Sequence, residues 1–253
     1  MGRITETVKV LLIINVLFFI GSQLIGQQAY EYFALWFFKS PNFQFWQVIT
    51  HMFMHGGLMH IVFNMYALWA FGSPIEQMLG QKRFLFFYFS AGLGAALLHT
   101  LVNFFAYQNG FNELLDAGYT SAEIQNWLAT SFDSIVRTQQ YGVPNGVDQE
   151  TIKTMVEAYS SSAVGASGAI YGILVAFGMM FPNVELFLLF VPVPIKAKYF
   201  IPGLIALDLF SGFTGYSLFG GSIAHFAHVG GALFGFIMMY YWKKNQFNKN
   251  RWD

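Results

Sequence analysis

The chain contains no cysteine, which excludes a thiol nucleophile, a disulfide framework and a cysteine-ligated metal. It is also poor in charge: 10% of its 253 residues are Asp, Glu, Lys or Arg, and 13 basic residues balance 13 acidic ones. Nothing in that balance points to a nucleic-acid partner. What is abundant is apolar surface, with 55% hydrophobic and 19% aromatic residues and a mean hydropathy of +0.47. That composition lies outside the range of soluble globular domains and reads as a polytopic membrane protein, so the lipid bilayer is its first partner.

Charge-free runs cover 10–30, 40–75, 84–112, 158–184 and 209–242, each long enough for the roughly 20 residues that cross the hydrocarbon. A sixth run, 199–217, holds one acid, Asp208. Spans are expected near 8–29, 55–73, 84–106, 163–181, 199–217 and 222–242, an all-α bundle of six helices with both termini on one side. With that side cytoplasmic, Arg3, Lys9, Lys82, Arg83, Lys196, Lys198, Lys243, Lys244, Lys249 and Arg251 lie inside. Lys39, Arg137 and Lys153 lie outside, as the positive-inside rule requires. No small-x-small cleavage site follows the first apolar run, which is therefore expected as an uncleaved span. The expected location is a bacterial plasma membrane.

Residues 107–160 turn polar, with seven acids against Arg137 and Lys153. They are expected as an extracytoplasmic insertion between the third and fourth helices of a single membrane domain, 1–253. Within it, Thr120-Ser121-Ala122-Glu123 has capping-box form. Ile124, Trp127, Leu128, Phe132 and Ile135 follow at helical spacing, giving an amphipathic helix that either lies on the membrane or packs on the spans. Asp148 is placed to cap a second short helix running toward Tyr159. Pro182, Pro192 and Pro194 bracket an apolar stretch too short to cross, expected at the cytoplasmic interface.

All six histidines fall in or beside spans, where ionisable groups face the bundle interior or a wet cavity. His60 and Asn64 are four apart on one helical face. The topology sets them at the depth of Ser167, which begins the fourth span, and of His228, near the start of the sixth. Gly168 and Gly172, with Gly231 and Gly235, form small-xxx-small pairs that let two backbones approach closely, near enough for a serine to reach an imidazole. Such a pair supports acyl transfer, the imidazole taking the hydroxyl proton and later protonating the leaving amine. The Asn64 amide, the His60 ring and the backbone N–H of Ser167 at a helix N-terminus are candidate oxyanion donors. Tyr171, on the face of Ser167, is placed to stack on or orient the imidazole.

These residues resemble the rhomboid intramembrane serine proteases. The resemblance lies in the string from His55 through Gly56, Gly57 and His60 to Asn64, the box Gly165-Ala166-Ser167-Gly168, and the segment Ala227-His228-Val229-Gly230-Gly231. It implies a cofactor-independent, metal-free endopeptidase that cleaves transmembrane protein substrates near the outer boundary. Ser167 is then the nucleophile, His228 the general base, and His60 with Asn64 line the oxyanion hole, supported by Tyr171, Gly165 and Gly168. It also implies substrate access near Phe213 to Phe219. The chain departs from many relatives in having Trp46-Gln47 where they carry Trp-Arg, and in the long connection before the serine.

Other readings compete. Isolated, a GxSG string in an apolar run is most often helix packing. His51 and His55 are one turn apart but lack the glutamate of an HExxH zinc helix, so backbone hydrogen bonding is the simpler expectation, with His99 a packing histidine. Glu76 and Asp208 are too separated for a proton-sharing acid pair; Glu76 is expected to tie the neighbouring loop, and Asp208 is unassigned. At the level of function the alternatives are a binding scaffold for transmembrane helices and a histidine-lined transporter.

Overall fold

A computed structural model describes residues 3–188, 191–215 and 224–245. The chain is mostly helical. Among the described residues, three helices are long and apolar enough to cross a membrane: α1 (Glu6–Ile25), α2 (Leu58–Leu79, with a π turn at Leu68–Gly72) and α3 (Gln81–Asp116). After them come α4 (Ser121–Thr138), α5 (Gln149–Tyr159), α6 (Ser167–Met180), α7 (Ala197–Thr214) and α8 (His225–Asn245).

Strands make small additions to the all-α expectation. β1 (Leu35–Trp36) pairs antiparallel with β2 (Ser162–Ala163), and β3 (Glu185–Leu188) pairs with β4 (Val191–Lys196). The segment expected to lie loosely at the interface therefore contributes a hairpin, which satisfies backbone groups that Pro192 and Pro194 bar from a helix.

Two helix lengths differ from expectation. α3 runs 36 residues, about 54 Å at 1.5 Å per residue, ten residues past the anticipated end of its span. α6 is only 14 residues long, about 21 Å and short of the roughly 30 Å hydrocarbon. Its start is delayed to Ser167 because β2 holds the chain extended and Gly165 turns it at φ +125°.

The extension of α3 leads into the polar segment 107–160. Thr120 caps α4, its hydroxyl accepting from the Glu123 N–H while Glu123 accepts from the Thr120 N–H at 2.8 Å. Asp148 accepts from the Thr151 N–H at 2.8 Å and starts α5. The apolar stripe of α4, Ile124, Leu128, Phe132 and Ile135, is buried with Tyr107 and Leu114 of α3, Ile152, Met155 and Tyr159 of α5, and Trp36 and Phe37. That stripe packs on protein, which decides against a membrane-surface helix.

The main core joins α1, α2, α3, α6 and α8 through Val8, Leu68, Ile75, Phe84, Phe87, Tyr88, Ile173 and Ala176. Glu76 accepts from the Thr5 hydroxyl and from the N–H groups of Thr7 at 3.0 Å and Val8 at 2.9 Å. It thereby satisfies donors at the start of α1 rather than a neighbouring loop, as a carboxylate does at a helix N-terminus.

Candidate active site

The site begins with glycines. α6 and α8 meet with their backbones touching: a Cβ on Gly231 would lie 1.8 Å from the Gly168 carbonyl oxygen, and one on Gly235 would lie 2.6 Å from the Gly172 Cα. No side chain fits between the helices at these positions, so the anticipated small-residue pairs are in fact interleaved. On the other flank, a Cβ on Gly230 would meet the Gly94 carbonyl of α3 at 2.6 Å.

That contact brings the first residue of α6 to the first turn of α8. Ser167 Oγ lies 2.9 Å from His228 Nε2. One turn along α6, Tyr171 stacks on the His228 ring, with centroids 4.2 Å apart and planes 12° from parallel. The stacking closes one face of the imidazole and limits its rotation. Ser167 also opens α6, so its N–H is among the four that the helix itself leaves unsatisfied.

α2 supplies the second wall. A Cβ on Gly165 would fall 2.8 Å from His60 Nε2 and 3.5 Å from Ser167 Oγ, so the His60 ring and the serine face the same small space. Gly165 is required there twice over, by its positive φ and by the lack of room. The Gly165 N–H donates to the His51 carbonyl at 2.9 Å, and the Gly56 N–H donates to His60 Nδ1 at 3.2 Å. Asn64, a turn deeper, is 6% exposed, and its Nδ2 has no hydrogen-bond partner among the described residues. A buried, unpartnered donor in this place is free to meet an anion. Beside Ser167 lies a cavity of about 20 Å³ bounded by His51, His99, Ala163, Val164, Gly165 and Gly168, room for about one water.

Of the residues that the sequence nominated, Ser167, His228, His60, Tyr171, Gly165 and Gly168 are brought together, and Asn64 lies one turn along α2 from His60. The other histidines are accounted for separately. His51 Nδ1 pairs with the Gln47 carbonyl at 2.8 Å and His55 Nδ1 with the Phe53 carbonyl at 3.3 Å. His99 Nε2 lies 3.1 Å from Asn103 Nδ2 and 3.2 Å from Ser161 Oγ.

Sequence reasoning missed Asp208. Its Oδ1 lies 3.2 Å from His228 Nδ1 and 2.5 Å from His225 Nδ1, and its Oδ2 accepts from the Tyr171 hydroxyl. One signal for it was present: an acid in an apolar helix needs partners, and two histidines three residues apart lie on the next helix.

Gln47 stands where the departure from the Trp-Arg pattern bears on the anchoring of the first loop; it is fully buried and ties that loop together. Its Nε2 donates to the carbonyls of Asn42 at 2.8 Å and Glu31 at 3.0 Å. Its Oε1 accepts from the N–H groups of Gln44 at 3.1 Å and Trp36 at 3.3 Å. The expected access route near Phe213 to Phe219, and Lys249 and Arg251 of the charge asymmetry, lie wholly or largely outside the described residues.

The rhomboid domain family model matches residues 42–141 and 145–245, and the chain belongs to that family. Among curated proteins it is similar to the presenilin-associated rhomboid-like protein, mitochondrial, of mouse, at 29% identity over 205 residues. The human protein of that name is 28% identical over the same length. Each alignment covers 79% of this chain and 40% of the relative; the chain thus spans less than half the length of these relatives. Their naming as mitochondrial proteins overturns the expected bacterial plasma membrane, and with it the assignment of the termini to a cytoplasm. Hydropathy and basic-residue bias report which ends share a side, not which membrane is crossed.

Proposed function

Starting from membership in that family, we propose that this protein is an intramembrane serine endopeptidase that cleaves transmembrane segments of membrane-anchored proteins. The observation that carries the reading is the 2.9 Å contact between Ser167 Oγ and His228 Nε2, a nucleophile and base at hydrogen-bond distance. In this reading α1, α2, α3, α6, α7 and α8 make six crossings. The short α6 starts below the membrane face opposite the termini, so a substrate helix has to unwind near that face to reach the serine.

His228 Nε2 removes the Ser167 proton as Oγ attacks the scissile carbonyl, and the same proton is later handed to the leaving amine. The negative charge on the carbonyl oxygen is met by the Ser167 N–H, the Asn64 amide and His60. The water that resolves the acyl-enzyme enters beside Ser167, where the small cavity of about 20 Å³ has room for about one molecule. Partners are therefore transmembrane proteins and the bilayer, and the chemistry draws on protein groups alone.

The test is cleavage of a single-span fusion substrate by the purified chain, with products mapped by mass spectrometry, together with labelling by a serine-directed fluorophosphonate. Wild type is expected to cleave and to label, and Ser167→Ala to do neither while keeping its thermal unfolding midpoint. Undiminished cleavage by Ser167→Ala would falsify the nucleophile; absence of labelling in the folded wild type would favour a binding scaffold.

A further inference from the structure

Asp208 sits on α7 with 6% of its surface exposed. A carboxylate buried in an apolar helix is costly unless donors meet it, and here three side chains do. Two come from successive positions on one face of α8, His225 and His228. The third is Tyr171 of α6, whose ring also stacks on His228. The carboxylate therefore touches both neighbouring helices through groups that surround the imidazole, and it does so at the nitrogen that faces away from Ser167.

We propose that Asp208 is the positioning residue for His228, fixing its tautomer and orientation, and that His225 and Tyr171 hold the Asp208 carboxylate in place. The inference rests on the protease reading above and extends it from a pair of residues to a chain of three. A neutral imidazole has one N–H. With Nδ1–H donated to Asp208 Oδ1, the Nε2 lone pair is left to accept the Ser167 hydroxyl, which is the tautomer that a general base needs.

During attack the Oγ–carbonyl carbon bond forms, the carbonyl π electrons move to its oxygen, and the serine proton passes to Nε2. The ring becomes cationic opposite an anion already aligned with it. Asp208 stays ionised throughout and exchanges no proton. His225, the closer partner of Oδ1, holds the carboxylate beside the imidazole. Tyr171 couples the other oxygen to the stacked ring, so carboxylate and imidazole are constrained together.

A merely structural Asp208, pinning α7 to α8, would affect folding and leave catalysis per folded molecule unchanged. Two measurements separate these roles. The first is kcat and KM of the full chain on the single-span substrate for wild type, Asp208→Asn and His225→Gln, normalised to folded protein. Asp208→Asn is expected to lose about 10²-fold in kcat, the scale of general-base catalysis, with KM nearly constant; His225→Gln is expected to lose several-fold. An Asp208→Asn enzyme within about two-fold of wild-type kcat overturns the proposal and leaves the protease reading intact.

The second is the ¹⁵N resonance of the His228 ring in ¹⁵N-histidine-labelled protein, assigned by its loss in His228→Gln. Wild type is expected to show Nδ1 protonated and Nε2 bare. Wild-type His228 protonated at Nε2 instead overturns the proposal even where a variant fails to fold. A wild type that neither cleaves nor labels sinks the protease reading, while the tautomer still decides the role of Asp208.

Discussion

Replacing Gly231 with alanine adds one methyl group where the structure has least room. Its Cβ would stand 1.8 Å from the Gly168 carbonyl oxygen, whereas ordinary contact begins at 3.4 Å. The obstacle is backbone in the first turn of α6, and no rotamer change relieves it. The helices must part by about 1.6 Å, which carries His228, three residues from Gly231, away from Ser167. A contact of 2.9 Å becomes one of about 4.5 Å, beyond hydrogen-bond range. Misplacement on the order of 1 Å costs roughly 10²-fold in rate, and overpacking a close interface costs about 1–3 kcal/mol. Gly231→Ala is therefore expected to cleave the single-span substrate at least about 10²-fold more slowly, to label poorly with fluorophosphonate, and to unfold at a lower temperature. Gly203→Ala on α7, where nothing lies within 4 Å, is the control and is expected to match wild type, with a small gain from helix propensity. Wild-type kcat in Gly231→Ala would refute the view that backbone contact between α6 and α8 sets the Ser167–His228 distance.

Two further perturbations address the elements around that contact. Gln47→Ala removes a fully buried amide that serves two carbonyls and two N–H groups of the first loop. Leaving such groups unpaired costs about 1–3 kcal/mol each at most, so a fall of about 2–3 kcal/mol in unfolding free energy is expected by denaturant titration. In the polar segment 107–160, hydrogen bonds from Thr120 hold the Glu123 carboxyl below its usual range, and those from Thr151 do the same for Asp148. A depressed folded-state pKa contributes stability that is fully present above the unfolded-state value and is lost as pH falls through the folded one. The first turns of α4 and α5 are therefore expected to stay protected from hydrogen exchange at neutral pH and to fray only below the ordinary carboxylate range; loss of protection between pH 6 and 5 would contradict these caps.

How much of this was legible in the sequence depended on whether a local rule decided the outcome. The capping box at Thr120 and the cap at Asp148 follow from side-chain oxygens within three residues of the N–H groups they serve, and both helices start where those rules put them. The convergence of Ser167 with His228 was legible because two small-residue pairs at a spacing of four leave helix backbones free to touch. Helix lengths were less so. α3 continues past its apolar run because Tyr107, Leu114 and Phe111 find a second core on α4 and α5, a tertiary gain that no charge-based boundary reveals. α6 starts late because Gly165 has to turn the chain in front of His60. Asp208 was legible only as an anomaly, since its partners lie 17, 20 and 37 residues away on two other helices.

The same long-range connections explain why the polar segment 107–160 and the serine belong together physically. Trp36 and Phe37 are buried in the core formed by α4, α5 and the end of α3, and β1, which contains Trp36, pairs with Ser162 and Ala163 just ahead of the serine turn. Two residues further on, the Gly165 N–H is held by the His51 carbonyl, and His51 Nδ1 pairs with the backbone carbonyl of Gln47, the residue whose side-chain Oε1 accepts from the Trp36 N–H. The turn that presents Ser167 is thus tied to the first loop, itself packed on the polar segment 107–160, while α8 presses on the helix that follows. An extended strand, a left-handed glycine and a helix N-terminus in succession have few backbone hydrogen bonds of their own. External bracing of this kind is what keeps such a segment in one conformation, and the polar segment 107–160 supplies part of it through the core that buries Trp36 and Phe37.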